Sequence, residues 1–256
     1  MIPVYSDPEG LGASLATLPA EVPLDVVVVD DGSDPPLPLP LVSAPHRVHL
    51  LRLPQNQGIA RALNYGLEWI LSQGYPYLAR LDAGDTALPG RFAGQLAFLK
   101  THPNHALVGG QAEFVDGGGR RLYRERLPQS YAELRRAMHL RNCFIHPAVM
   151  IRTSVLRELG PYRTDFPAAE DYELFFRVVR RHPSANLPSV VVRVRHNPRG
   201  ISARYRRQQL FSRLRVQLAY FDPGLPESYL GLLQTLGLML VPAPAVWALK
   251  RRWGRG

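Results

Sequence analysis

Three pairs of acids in this sequence have the types and spacing for chemistry. Asp82-Ala83-Gly84-Asp85 follows a short apolar run at residues 77–81. Asp30-Asp31-Gly32-Ser33 follows a run of valines, and Glu170-Asp171 opens a periodic stretch late in the chain. Acids at the C-terminal ends of sheet strands lie where open α/β sheets bind ligands. Two carboxylates a few residues apart can hold a hard divalent cation, and that cation can hold a diphosphate. The plain alternatives are an Asp/Gly turn capping the next helix and, for Glu170-Asp171, ordinary acidic charge at a helix N-terminus.

The elements that must position these acids follow from pattern. Residues 2–5 read as a first strand, and Leu11, Leu15 and Leu18 as a helix ended by Pro19. Residues 25–29 contain four consecutive valines, a run typical of a parallel strand buried on both faces. The Pro-rich residues 35–45 read as a surface connection. Residues 48–53 form the next strand. Asn56-Gln57-Gly58 is a turn in which Asn56 is placed to cap a helix whose Ile59, Leu63, Leu67 and Ile70 share one face. After the strand at 77–81 and its acidic turn, Leu88-Pro89 leads into a helix carrying Arg91, Phe92, Leu96 and Leu99.

Residues 106–114 and 121–124 predict a hairpin across a Gly-rich turn. Ser130 and Glu133 have capping-box spacing. Residues 146–152 predict a strand, 154–159 a helical turn closed by Gly160-Pro161, 168–181 a helix and 190–194 a last strand. The order is βαβ at first and mixed afterwards. The expected fold class is α/β: a Rossmann-like, doubly wound mixed sheet in residues 1–202, followed by a C-terminal helical, partly apolar tail in residues 203–256.

Charge narrows the partners. The 256 residues carry a net charge of +10, and residues 174–221 hold eleven Arg and no Asp or Glu. Such a block suits phosphates, an acidic acceptor or an anionic membrane surface. Nucleic acid is disfavoured, because no helix-turn-helix, zinc-ligand or RNA-binding aromatic pattern accompanies the charge. A dinucleotide-dependent dehydrogenase is disfavoured too, because no G-x-G-x-x-G follows the first strand. Residues 203–221 predict a basic amphipathic helix. Residues 229–249 carry no formal charge and are long enough to span a bilayer, but Gln234, Pro242 and Pro244 interrupt them. This tail reads as lying on a membrane, with packing on the domain or a homodimer contact as alternatives. Cys143 is the single cysteine, which fits a reducing compartment, and no signal-peptide pattern opens the chain. The expected location is cytoplasmic, peripheral on the inner face of the plasma membrane.

The features resemble, in order and spacing, the family 2 glycosyltransferases, which have the GT-A fold. The matching segments are Ile2-Pro3-Val4-Tyr5, Asp30-Asp31-Gly32-Ser33, the Asn56 turn with Ala62-Leu63-Asn64, Asp82-Ala83-Gly84-Asp85 with Pro89, Arg91 and Gln95, His146-Pro147-Ala148-Val149-Met150, Gly160-Pro161-Tyr162 and Glu170-Asp171. The resemblance extends to about Ser202. It implies an inverting, single-displacement transfer of a sugar from a nucleotide-diphospho-sugar, with UDP the default, to a hydroxyl of a glycan or lipid-linked acceptor in cell-surface glycan synthesis. Carried over, Pro3 and Tyr5 line the nucleotide site, and Asp31 with Asp30 accepts hydrogen bonds from base or ribose. Asp82 and Asp85 belong to the diphosphate turn that holds Mn²⁺ or Mg²⁺, and Asp171 is the general base.

His146 can orient a catalytic group or touch the diphosphate, and is otherwise a structural hydrogen-bonder. Arg195 and His196 follow the last strand, where a loop can fold over phosphates, and Glu170 adjoins the base. The family's turn is usually Asp-Ala-Asp-Asp, so Gly84 replaces an expected metal-binding acid. Either Asp82 or Asp85 takes over, metal affinity is weak, or the Arg block neutralises the diphosphate. The alternative function is a degenerate protein that binds a nucleotide or a membrane surface without catalysis.

Overall fold

The computed structural model describes residues 1–20, 22–38, 45–196 and 206–241. β1 (Ile2–Val4), β2 (Asp25–Asp30) and β3 (Arg47–Arg52) form a parallel sheet in the order β1-β2-β3. The valine run fills β2, and its alternate residues face opposite cores. Val26 and Val28 pack with Leu11 and Leu15 of α1 (Pro8–Leu15). Val27 and Val29 pack with Leu63, Leu67 and Ile70 of α2 (Ile59–Ser72). Helices on both faces make the sheet doubly wound.

A second sheet runs β4 (Tyr77–Ala79), β8 (Met150–Arg152), β6 (Leu107–Val115), β9 (Ser184–Arg195) and β5 (Thr86–Ala87) in spatial order, with β7 (Arg121–Glu125) paired to β6. Its pairs are antiparallel except β6 with β9. The two sheets join where Met1 N donates to Ala79 O at 2.8 Å and Leu81 N donates to Met1 O at 3.2 Å. The result is the α/β mixed sheet expected from the sequence.

Several local expectations change. The strand at 146–152 shortens to β8, because His146–Ala148 is a 3-10 turn. Pro147 sits in its first turn, where a missing N–H costs nothing. The last strand starts six residues earlier than residue 190, at Ser184, and its register on β6 shifts between Gly110 and Gln111, so that Pro188 falls at an irregularity. Asn56 does not cap α2. The N-cap is Gly58, at φ +86, and it makes no side-chain cap bond.

The remaining helices are α3 (Arg91–Thr101), α4 (Tyr131–Ala137), α5 (Thr153–Leu159) and α6 (Glu170–Arg181). The capping box of α4 forms as expected, with Glu133 N donating to Ser130 Oγ and Ser130 N to Glu133 Oε2. The tail folds as α7 (Arg206–Ala219) and α8 (Pro226–Leu240). It docks on the α/β unit. Gln217 donates to His139 O at 3.0 Å, Ser228 Oγ meets His139 Nδ1 at 2.8 Å, and Thr235 Oγ1 donates to Gln217 at 2.7 Å. Among the described residues, no helix is long and apolar enough to cross a membrane. Pro242, Pro244 and the basic residues 250–252 lie outside the described residues, as do Arg199 and Arg204.

Candidate active site

The acidic turn is wedged between α1 and β9. Ser14, fully buried on α1, donates its hydroxyl to Asp85 O at 2.8 Å and accepts from Gly84 N at 2.9 Å. Gly84 N also donates to Gly10 O at 2.9 Å. Behind the turn lies Arg80, 1% exposed, whose Nη2 donates to Asp82 Oδ1 at 2.6 Å and whose Nη1 donates to Met1 O at 2.6 Å. Arg91 is buried beside it and donates to Arg80 O at 2.5 Å. Burial first, and the Arg80 charge second, push the Arg91 guanidinium down to about 9. Asp85 is buried and accepts from Arg195 N at 3.0 Å. Burial and the Asp82 charge push its carboxyl up to about 8.

The two acids after β2 separate in role. Asp30 is 0% exposed, and its oxygens accept from Ser33 N at 3.0 Å, Leu37 N at 3.3 Å and Arg52 Nε at 3.1 Å. Its carboxylate holds the loop that follows β2. Asp31 accepts from Gln57 N at 2.8 Å and Gly58 N at 2.9 Å, so it holds the turn that leads into α2. Pro3 is buried in β1, whereas Tyr5 at the strand's end is 54% exposed and offers a ring face. Ser6 N donates to Ser33 Oγ at 2.8 Å and fastens the two loops together.

Across from the turn, α6 begins with Glu170 and Asp171. Asp171 accepts from Asn142 Nδ2 at 2.9 Å and from Tyr172 N at 2.7 Å, and its side chain is partly exposed. Burial pushes its carboxyl up to about 6, against the Tyr172 N–H, and the Asp82 charge pushes the same way as burial. Glu170 is buried, and its Oε2 has no hydrogen-bond partner among the described residues. Burial, then the Asp171 charge, pushes it up to about 7. The fold thus brings Asp82, Glu170 and Asp171 within one another's field, and the Glu170–Asp171 pair titrates jointly. A carboxylate with a near-neutral pKa is matched to taking a proton at neutral pH.

His146 Nε2 lies 2.9 Å from Tyr162 Oη and accepts from Arg80 Nε at 3.3 Å. Burial first, and then the Arg80 charge, hold its imidazole well below its ordinary 6.5. The neutral ring links Tyr162 to Arg80. His196 donates its backbone N–H to Val115 O at 2.8 Å.

The Arg block divides. Arg177 pairs with Glu173 and also donates to Leu159 O and Pro161 O; Arg193 pairs with Glu113, Arg213 donates to Leu140 O, and Arg215 pairs with Asp165. Arg195 alone of these stands at the acidic turn.

By themselves Asp82 and Asp85 offer a divalent cation few free oxygens. A small divalent ion wants near-octahedral oxygens. One Asp82 oxygen is held by Arg80, and one Asp85 oxygen by Arg195 N. Among the described residues, no three His, Cys, Asp or Glu side chains converge as a metal site. Sequence reasoning missed Ser14, Arg80 and Asn142. A charged residue inside an apolar strand run was a visible signal for Arg80. Nothing local marked Ser14 or Asn142.

An α/β mixed sheet with acids gathered at its strand ends, faced by a helix N-terminal carboxylate, is the architecture of GT-A glycosyltransferases. The chain belongs to glycosyltransferase family 2, whose sequence model, Glycosyl transferase family 2, matches residues 1–160. It is 36% identical over 159 residues to the amylovoran biosynthesis glycosyltransferase AmsE of Erwinia amylovora, covering 61% of this chain and 55% of that protein. It is 26% identical over 139 residues to the O-antigen biosynthesis glycosyltransferase WbnJ of Escherichia coli, covering 54% and 52%. The chain spans about half the length of the curated relatives it matches. Among solved structures, the mannosyltransferase PcManGT from Pyrobaculum calidifontis, in complex with GDP-Man and Mn²⁺, superposes with TM-score 0.60 at 18% identity, covering 98% of this chain and 71% of that one. TarS 1-349 of S. aureus in complex with UDP-GlcNAc gives TM-score 0.59 at 15% identity, covering 93% and 70%. These structural likenesses concern the fold.

Proposed function

We propose that this protein is an inverting transferase that moves a sugar from a nucleotide-diphospho-sugar to a hydroxyl acceptor during cell-surface glycan synthesis. The observation that carries the reading is the Asp171 carboxylate, fixed at the start of α6 by Asn142 and Tyr172 N and facing the field of Asp82. In this reading Asp171 takes the acceptor hydroxyl's proton as that oxygen attacks the anomeric carbon. A base so placed contributes ~10²–10⁴-fold. Tyr5 and the loop pinned by Asp30 and Asp31 receive the nucleotide, and Asp82 faces the diphosphate end. Asp171→Asn keeps the size of the side chain but gives up one acceptor oxygen and cannot take the proton. The expected outcome is a loss of turnover by ~10²-fold or more with nucleotide-diphosphate affinity retained. Full turnover in that variant would remove Asp171 from the role.

UDP is the first donor base to test. The UDP-GlcNAc and GDP-Man held by the neighbouring structures support a nucleotide-sugar donor. The names of the curated relatives support an acceptor in polysaccharide or O-antigen assembly. The exposed apolar face of α8, with Leu230, Leu233 and Leu240, supports peripheral contact with an anionic membrane.

A further inference from the structure

We propose that Arg195, rather than a divalent cation, neutralises the donor's diphosphate in this chain; the inference rests on the transferase reading above. Position 84 is where the resemblance places a metal-binding acid, and here it is glycine at φ +91, a conformation that L side chains rarely adopt. A Cβ built there would first meet Arg195, lying 2.7 Å from Nη2 and 3.0 Å from both Cζ and Nε. A guanidinium therefore fills the volume that an acid at 84 and its cation would share.

The backbone of Arg195 is held there by the turn, and its guanidinium reaches Asp7 at the start of α1. Arg195 N donates to Asp85 Oδ1 at 3.0 Å, which fixes the end of β9 against the turn. Its own ion pair is long, with Nη2 3.4 Å from Asp7 Oδ2, and the side chain is half exposed. The head group has five N–H donors in a planar fork that suits phosphate oxygens. Arg177, Arg193, Arg213 and Arg215 of the Arg block are spent on protein acids and carbonyls. Arg195 is half exposed, its pair with Asp7 is long, and it stands at the turn where the diphosphate is read.

The step balances without a metal. The acceptor oxygen forms its bond to the anomeric carbon, and its proton passes to Asp171. The bond from the anomeric carbon to the phosphate oxygen breaks, and its electron pair stays on that oxygen. Arg195 stabilises the new charge by charge-assisted hydrogen bonds and keeps its own proton. The products are the glycosylated acceptor, the nucleoside diphosphate and one proton on the base.

The test is calorimetric titration of UDP, GDP and dTDP into the full chain, once with EDTA and once with Mn²⁺. For the nucleotide that binds, the expected affinity is the same in both buffers. Arg195→Ala should weaken that diphosphate by ~10–100-fold and change the matching nucleoside monophosphate less, while Arg195→Lys recovers part of the loss. Binding that requires Mn²⁺ would overturn the inference and leave the transferase reading standing. Unchanged diphosphate affinity in Arg195→Ala would do the same. Failure of every diphosphate to bind in either buffer would sink both. The comparison of buffers uses the unaltered chain, so it decides even if a variant does not fold.

Discussion

Asn142 donates its side-chain amide to Asp171, Nδ2 to Oδ2, at 2.9 Å. The bond stabilises the charged carboxylate and so opposes the burial that pushes Asp171 up to about 6. A general base must be unprotonated, so activity should rise with pH through that region and level off above it. Removing the bond in Asn142→Ala raises the carboxyl further. The acidic limb of kcat/KM should then move to higher pH. A limb that stays put while activity falls would make Asn142 a packing residue only.

Ser14→Ala removes the hydroxyl that donates to Asp85 O and accepts from Gly84 N. Gly84 N keeps Gly10 O, but the buried Asp85 carbonyl loses its donor from α1. The expected cost is ~1–2 kcal/mol, seen as a lower urea midpoint with an unchanged slope. An unchanged midpoint would mean that the hydroxyl does not support the turn.

Gly231 sets how closely α8 approaches the core. A Cβ there would lie 1.9 Å from His139 O, a backbone atom that cannot swing aside. Gly231→Ala should push the helix away, strain the Ser228–His139 and Gln217–Thr235 bonds, and cost ~1–3 kcal/mol. Thermal unfolding would show it as a drop of roughly 2–4 °C per kcal/mol. Gly237 has nothing within 4 Å of its Cβ position, so Gly237→Ala is the control and should be neutral or stabilising.

The exposed stripe on α8 has a direct test. Leu233 is 65% exposed, with Leu230 and Leu236 beside it on the helix surface. Sedimentation with phosphatidylserine vesicles should recover the protein in the pellet, and Leu233→Glu should lower the partition by about tenfold or more. A variant that sediments like the parent would detach this face from membrane contact, and sedimentation equilibrium would then ask whether it pairs two copies.

The legible parts of the fold were those governed by local pattern. Four valines in a row made a strand buried on both sides, and Ser130 with Glu133 made a capping box, because both depend only on neighbours a few residues away. Two motifs noted separately turned out to hold each other. Asn64 Nδ2 donates to Tyr162 O at 2.8 Å, and Tyr162 N donates to Asn64 Oδ1 at 2.9 Å. That pairing joins residues 98 positions apart, so spacing alone could not show it.

The separation of Asp30 from Asp31 was hidden for a similar reason. Asp30 is the register partner of Arg52 on β3, and its burial follows from a neighbour on another strand. His146 read as strand because its neighbours are apolar, whereas Pro147 bends the backbone into a turn. The sequence marked the acids at 82 and 85 as chemistry. It also marked Arg195 and His196 as residues that can fold over phosphates, but not the bond from Arg195 N to Asp85 that brings the end of β9 to the turn.

That return has a consequence for how the protein becomes competent. Asp85 and Arg195 are 110 residues apart, and Asp7 and Arg195 are 188 apart. Contacts of such long sequence separation close slowly, after local structure has formed. A nascent chain that has emerged only as far as α6 contains the valine strand and its covering helices, yet it still lacks Arg195 at the acidic turn. If Arg195 completes the donor site as proposed, that site closes only after β9 has been made.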